Sequence, residues 1–197
     1  MRLQSPKIFA EKIFYYESVI PNPEELVYLI ESTDFYISEE SLISKWHTWM
    51  SSDDSYVFGK RKTTDASFYD SASNKLRDAY DILTRTLSVY GKDYAEKLKV
   101  DLGIQMPISI SKYFAGASMG PHTDSGPEPT TENISAVLYL NDSYSGGEIN
   151  FSGQGVKIKP KAGSLVIFPS VPPFYHESMP ILNGVKYMSP AFWHLEK

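Results

Sequence analysis

Cysteine is absent from the 197 residues, so disulfides, thiolate zinc sites and cysteine nucleophiles are all excluded. No stretch approaches the roughly 18 consecutive apolar residues that a membrane-spanning helix needs. The opening Met1-Arg2-Leu3-Gln4-Ser5-Pro6 lacks the apolar core of a signal peptide, and the expectation is a cytoplasmic protein. Arginine is scarce and one-sided: Arg2, Arg61, Arg77 and Arg85 all lie in the first half. Any anion held by the second half is therefore expected to meet lysine, hydroxyls or backbone. The net charge of −5 weighs against a dedicated nucleic-acid binder, because phosphate contacts need a basic surface.

The length fits one domain spanning 1–197, with a helical part over about 1–104 and a strand-rich core over about 105–194. Asn22-Pro23-Glu24-Glu25 supplies an N-cap, a proline at the first helical position and an acidic first turn. Leu26, Leu29 and Ile30 follow at helical spacing. A second helix is predicted over 73–90, with Leu76, Ala79, Tyr80, Leu83 and Leu87 on one face and Gly91 as its stop. A short third helix is predicted over 93–99. Residues 45–66 between the first two helices read as loop or weak strand.

From about residue 105 the period changes to two. Residues 108–114 and 134–140 alternate, with Ile134, Ala136, Leu138 and Leu140 on one face. Short strands are predicted over 147–151, 156–159, 165–168 and 185–188, punctuated by Asn141-Asp142, Gly146-Gly147, Ala162-Gly163 and Asn183-Gly184. Closely spaced strands with turn signals suggest a sandwich or barrel, a jelly roll being one such solution. Residues 124–133 read as a loop over the mouth of a site.

That site is suggested by His122-Thr123-Asp124, followed at a distance by His176 and Lys186. Two imidazoles and one carboxylate are the donor set that binds non-haem Fe(II) and leaves coordination positions open. His122 and Asp124 are two residues apart, so an extended strand end points both to one face. His176 returns opposite them if its strand is a neighbour. Lys186 would then anchor the far carboxylate of a bidentate cosubstrate. A His-x-Asp tripeptide is weak evidence by itself, and a loop histidine in a turn is the ordinary alternative. His47 and His194 compete for the third ligand place but read more simply as packing, substrate-loop or structural residues. Zinc hydrolysis is a rival use of the same donors, with Glu177 as the only neighbouring general base.

The residues also carry a resemblance. Tyr113-x-x-Gly116-x-x-Met119-x-x-His122-x-Asp124 resembles the Tyr-x-x-Gly-x-x-Tyr-x-x-His-x-Asp run of prolyl 4-hydroxylase-like 2-oxoglutarate/Fe(II) dioxygenases. Tyr139-Leu140-Asn141, Gly146-Gly147-Glu148-x-x-Phe151 and Pro160-x-x-Gly163-Ser164-x-x-x-Phe168 resemble further segments of that family. So does the ending from His176 through Pro180, Gly184, Lys186 and Tyr187 to Trp193-His194. The similarity covers about 105–194.

The resemblance implies a mainly β fold, a double-stranded β-helix (a jelly-roll, cupin-like barrel) with buttressing helices. It implies His122, Asp124 and His176 as iron ligands and Lys186 paired with the C5 carboxylate of 2-oxoglutarate. Tyr139 is implied as a hydroxyl donor to the same carboxylate, and Tyr113 as a cosubstrate contact or pocket wall; core packing is the plainer role for both. Fe(II), 2-oxoglutarate and dioxygen are the implied cofactors, with room for ascorbate. Retention of Asp124 argues against a halogenase. Lys157, Lys159 and Lys161 read as a solvated face.

Met119 stands where the family has its second tyrosine, which leaves the substrate open. Three readings follow: a peptidyl, most simply prolyl, hydroxylase acting on a peptide or protein; a dioxygenase of free amino acids or other small metabolites; and a non-catalytic jelly-roll binding module. Trp46, Trp49, Tyr56 and Phe58 would serve a peptide groove or the core equally well. Nucleic acid and membrane are not expected partners.

Overall fold

Period-two patterning marks strands at the centre of the fold. In a computed structural model, which describes residues 3–32, 35–37, 42–44, 46–48, 60–64, 74–125 and 133–195, the alternating segments form the centre of one large sheet. Its strands are β1 (Lys7–Phe9), β2 (Ile13–Tyr16), β5 (His47–Thr48), β6 (Arg61–Thr63), β7 (Leu102–Gln105), β8 (Ser111–Phe114), β10 (Asn133–Tyr139), β14 (Leu165–Pro169) and β17 (Val185–Leu195). They lie in the order β1-β2-β14-β10-β17-β8-β6-β5, with β7 paired to the far end of β17. A second, four-stranded sheet runs β13 (Val156–Ile158), β12 (Ile149–Phe151), β15 (His176–Ser178) and β9 (Met119–His122). Two small two-stranded sheets, β3 (Phe35–Ile37) with β4 (Leu42–Ser44) and β11 (Ser145–Gly146) with β16 (Ile181–Asn183), complete the described strands.

Central strand β10 shows how sequence sorts the two cores. Ile134, Ala136 and Leu138 point away from the second sheet and pack with the buried face of the helices α1 (Pro23–Glu31) and α2 (Asn74–Leu98). Tyr139, on the opposite face, joins Tyr113, Ile149, Phe151, Val166 and Phe168 between the two sheets. The mainly β architecture with helices against one sheet agrees with the jelly-roll expectation. Leu83 and Leu87 of α2 are fully buried on the sheet, and each such burial stabilises the fold by about 1.5–3 kcal/mol.

Several expectations need correction. The N-terminal part is not purely helical: β1 and β2 form a hairpin, and β2 extends the large sheet by pairing with β14. Ile13, Phe14, Tyr15 and Tyr16 are all buried, so this strand is covered on both faces and shows no alternation to read. Gly91 does not end a helix. The stripe of buried side chains continues through Tyr90, Tyr94 and Ala95, and one helix replaces the two predicted. Glycine is needed there for proximity, since a Cβ at 91 would sit 2.8 Å from the Trp193 ring. Asn22 makes no side-chain cap; the first turn of α1 is closed by the Glu25 N–H donating to the Asn22 carbonyl at 3.2 Å. Trp49, Tyr56, Phe58 and most of the expected mouth loop lie outside the described residues, as does the side chain of His47. Among the described residues no helix is long and apolar enough to cross a membrane.

Candidate metal and cosubstrate site

The second sheet brings His122 and His176 together by register. They are directly opposed partners on β9 and β15, with ring centroids 4.3 Å apart. Asp124 follows β9 and turns between them: its Oδ1 lies 3.4 Å from His122 Nε2 and its Oδ2 3.3 Å from His176 Nε2. One donor atom from each residue falls within 4.8 Å of the others, a spacing that one metal ion can bridge. His122 Nδ1 is 2.8 Å from the Gly120 carbonyl and His176 Nδ1 is 3.4 Å from the Phe174 carbonyl. A carbonyl only accepts, so both contacts call for Nδ1–H; Nε2 then faces Asp124 as an N–H donor while the ring is protonated and as a lone pair for a metal ion once it is neutral. Phe168 meets the His176 ring edge-on at 4.5 Å and restricts its rotation.

Charge within this group is balanced. Burial alone would raise the Asp124 pKa, but hydrogen bonds from His122, His176 and the Ser135 hydroxyl outweigh it and hold the carboxyl well below the usual range. Burial opposes protonation of His122, yet Asp124 and the Gly120 carbonyl leave its pKa raised. A neutral-imidazole, ionised-carboxylate donor set suits a divalent ion such as Fe(II).

Across the cavity, the large sheet presents Lys186. Its side chain is 1 % exposed and its ammonium donates to Ser178 Oγ at 2.6 Å and the Gly147 carbonyl at 3.4 Å. It lies 4.8 Å from the Tyr113 ring centroid and 5.9 Å from that of Tyr139. Among the described residues no carboxylate reaches hydrogen-bond distance of it. Burial first, then repulsion from Arg61 and Lys159, lowers its pKa to about 7. A desolvated cation ringed by two tyrosines is a fitting receptor for a small carboxylate. The triad, Lys186, Tyr139 and Tyr113 all line one cavity of about 260 Å³.

Sequence reasoning missed other parts of this cavity. Arg61 corrects the expectation that arginine plays no part in the barrel. β6 pairs with β8, placing Arg61 opposite Tyr113, and the guanidinium lies 4.8 Å from the Tyr113 ring. Its Nη1 donates to Met119 Sδ at 3.4 Å. Nothing local in the sequence signals that long-range pairing. Ser178 and Met188 were findable, since each lies two residues beyond a predicted site residue on the same strand face. The three lysines 157, 159 and 161 are exposed as expected, although Lys159 also lies over the Tyr144 ring and donates to the Gly146 carbonyl. His194 is exposed on β17 and stands outside the His–Asp–His group. Glu177, the general base that zinc hydrolysis would need, is engaged by Asn150 at 2.6 Å.

Comparison with known proteins places this geometry. Residues 108–194 match the model of the 2OG-Fe(II) oxygenase superfamily. No curated protein sequence matches the chain. Among solved structures, the viral collagen prolyl hydroxylase of Paramecium bursaria Chlorella virus-1, in complex with 2OG, is similar with a TM-score of 0.60. Its identity is 14 %, and the likeness covers 95 % of this chain and 98 % of that one. A Pseudomonas putida prolyl-4-hydroxylase is similar at TM-score 0.58 and 18 % identity, over 94 % and 93 % of the two chains. A Trichoplax adhaerens prolyl hydroxylase, in complex with a hypoxia inducible factor oxygen degradation domain peptide fragment, is similar at TM-score 0.59 and 14 % identity, over 94 % and 84 %. At such identities the likeness establishes the fold. Joined to the His–Asp–His cluster and to the family match over residues 108–194, that fold supports the activity of a dioxygenase using Fe(II), 2-oxoglutarate and O2.

Proposed function

We propose that His122, Asp124 and His176 hold the iron, that Lys186 with Tyr139 and Tyr113 receives 2-oxoglutarate, and that the hydroxylated substrate is a prolyl residue of a peptide or protein. The observation that carries the site reading is the convergence, in one cavity, of a three-donor cluster and a buried ammonium that has no carboxylate partner among the described residues. Iron with 2-oxoglutarate and dioxygen supplies the oxidising power for C–H hydroxylation, with succinate and CO2 released.

The chain's own residues bind, orient and exclude water. The Gly120 and Phe174 carbonyls set the two imidazoles so that Nε2 faces the ion. Lys186 draws the far carboxylate of 2-oxoglutarate into the barrel, beside Ser178, and the Tyr113 and Tyr139 rings wall it in. Ile149 and Met188 line the cavity and, with Phe151 and Phe168 packed behind them, keep it dry. In the same cavity, Met119 of β9 with Pro190 and Phe192 of β17 offers an apolar wall suited to a saturated ring. Arg61 stands beside them as a donor for a peptide carbonyl. The prolyl hydroxylase likenesses, one of them in complex with a peptide fragment, support this choice of substrate.

The test begins with an anaerobic titration of metal-free protein with Fe(II) and 2-oxoglutarate, observing the visible charge-transfer band of a chelated keto acid. The band is expected in the wild type and lost in His176→Ala; its persistence in that variant would overturn the ligand assignment. Succinate release is then compared for proline-containing peptides, free proline and other free amino acids. Turnover of the free acids alone would replace the peptidyl reading with a metabolite dioxygenase.

A further inference from the structure

Each of the three donor residues has an outer partner, and one of the three differs in kind from the other two. For His122 and His176 the partner is a backbone carbonyl two residues earlier, supplied by the local chain path whatever the side chains are. For Asp124 it is a side chain on the opposite wall. Ser135 lies on β10, in the middle of the large sheet between Phe168 of β14 and Phe192 of β17. It is 1 % exposed, and its hydroxyl donates to Asp124 Oδ2 at 2.6 Å. Asp124 itself follows β9 of the other sheet and has left the ladder, so strand pairing does not hold its backbone in place. The segment beyond it is joined to the large sheet by the Ser125 N–H, which donates to the Ser170 carbonyl at 3.1 Å.

We propose that Ser135 is the positioning residue for the carboxylate ligand: its hydroxyl ties Asp124 across the barrel and occupies one lone pair of Oδ2, so that the carboxylate offers the metal a single oxygen. The inference rests on the ligand reading above. A carboxylate without this bond can rotate about its last side-chain torsion, which is broad for aspartate. It can then bind through both oxygens and take up a position the cosubstrate needs. A charge-assisted O–H···O⁻ bond of this length is among the stronger hydrogen bonds in proteins, and its burial removes competition from water.

Ser135→Thr and Ser135→Val provide the test, because the two side chains share a shape and differ in the hydroxyl. Both are prepared metal-free with the wild type and with Asp124→Ala. Mn(II) dissociation constants are read from the electron paramagnetic resonance of free ion, and the Fe(II)–2-oxoglutarate band is recorded anaerobically. The valine variant is expected to bind Mn(II) about 10- to 100-fold more weakly than the threonine variant, the usual consequence of losing an outer partner of a metal ligand. Its charge-transfer band is expected to move relative to that of the threonine variant, a change that looser packing alone would not cause. Equal Mn(II) affinities and equal bands in the two variants overturn the proposal, provided Asp124→Ala has lost binding. If Asp124→Ala binds Mn(II) as the wild type does, the ligand reading fails instead, and the role of Ser135 fails with it.

Discussion

Beyond the end of β9 in the four-stranded sheet, Asp124 lies between two imidazoles and its charge is met on both sides; on the nine-stranded sheet, Lys186 is buried more deeply and, among the described residues, its ammonium meets a hydroxyl, a carbonyl and two rings. Buried charge is costly unless paired, and the two walls respond to that cost in opposite directions. The carboxyl is driven further toward its charged form, whereas the ammonium is driven toward neutrality. The first wall is complete as a donor set; the second, among the described residues, sets no carboxylate within hydrogen-bond reach of its ammonium. On the proposed reading, the far carboxylate of 2-oxoglutarate supplies that counter-charge.

The largest effects are expected where the complete wall is broken. Asp124→Ala leaves two imidazoles and His176→Ala leaves one with the carboxylate. Either is expected to abolish Fe(II)-dependent turnover while far-ultraviolet circular dichroism stays that of the wild type. Full activity in either variant would remove that residue from the ligand set. Unfolding of either would show that the group serves the fold more than the metal.

Next come changes on the unfinished wall. Lys186→Met keeps most of the volume and removes the cation. Loss of a buried charged partner costs about 2–5 kcal/mol of binding, so 2-oxoglutarate affinity is expected to fall on the order of 10²- to 10³-fold. Mn(II) affinity without cosubstrate should be unchanged. The same variant is expected to raise the thermal midpoint of the metal-free protein, because an unpaired buried cation gives way to an apolar chain. Weaker stability together with unaltered cosubstrate affinity would make Lys186 a structural lysine.

Smaller, and sharper as a comparison, is the effect of pH. Lys186 loses its proton near pH 7 in the fold and at 10.5 in an exposed chain. Between those values the unfolded state binds more protons, so stability of the metal-free protein rises with pH across that window and is flat, for this group, on either side. Anion binding works the other way, because it favours the charged amine. Affinity for 2-oxoglutarate is expected to fall above pH 7, by up to about tenfold per unit, with uptake of a proton measurable by titration calorimetry at pH 8 in two buffers. A pH-independent affinity between 7 and 9 would mean that the amine is already charged before the anion arrives.

The two walls were also unequally legible. β10 has one face against the helices and one against the cavity, and alternation exposes that arrangement directly, whereas β14 is apolar at every position and is marked only by its length and flanking turns. His122, Asp124 and Lys186 then fall on readable faces. β2 is covered on both sides, and four successive buried residues carry no period. Arg61 reaches the cavity only because β6 pairs with β8, a contact between distant segments that no local pattern encodes. Ser135 could have been placed, since it lies four residues before Tyr139 on the same face of one strand. Its partner across the barrel could not, because that depends on how far apart the two sheets stand. Gly91 misled because glycine stops a helix when the position demands left-handed backbone, and this one answers to a crowded neighbour.

Gly91 also gives the mildest way to separate the walls. It lies in α2 against Trp193, whose strand β17 begins at the opposite end with Lys186. Alanine is the better helix former by about 1 kcal/mol, but its Cβ would stand 2.8 Å from the indole. Overpacking of that kind costs about 1–3 kcal/mol. Gly91→Ala is therefore expected to lower stability by zero to about 2 kcal/mol, seen as a lower denaturation midpoint with an unchanged slope. Any transmitted shift of β17 would reach the cosubstrate end first. Affinity for 2-oxoglutarate should move by a small factor and Mn(II) affinity not at all, because β9 and β15 belong to the other sheet and none of their residues is in the core that this helix face joins. A loss of metal affinity larger than the loss of cosubstrate affinity would show that the sheets move as one body and that the division of labour between them is not mechanical.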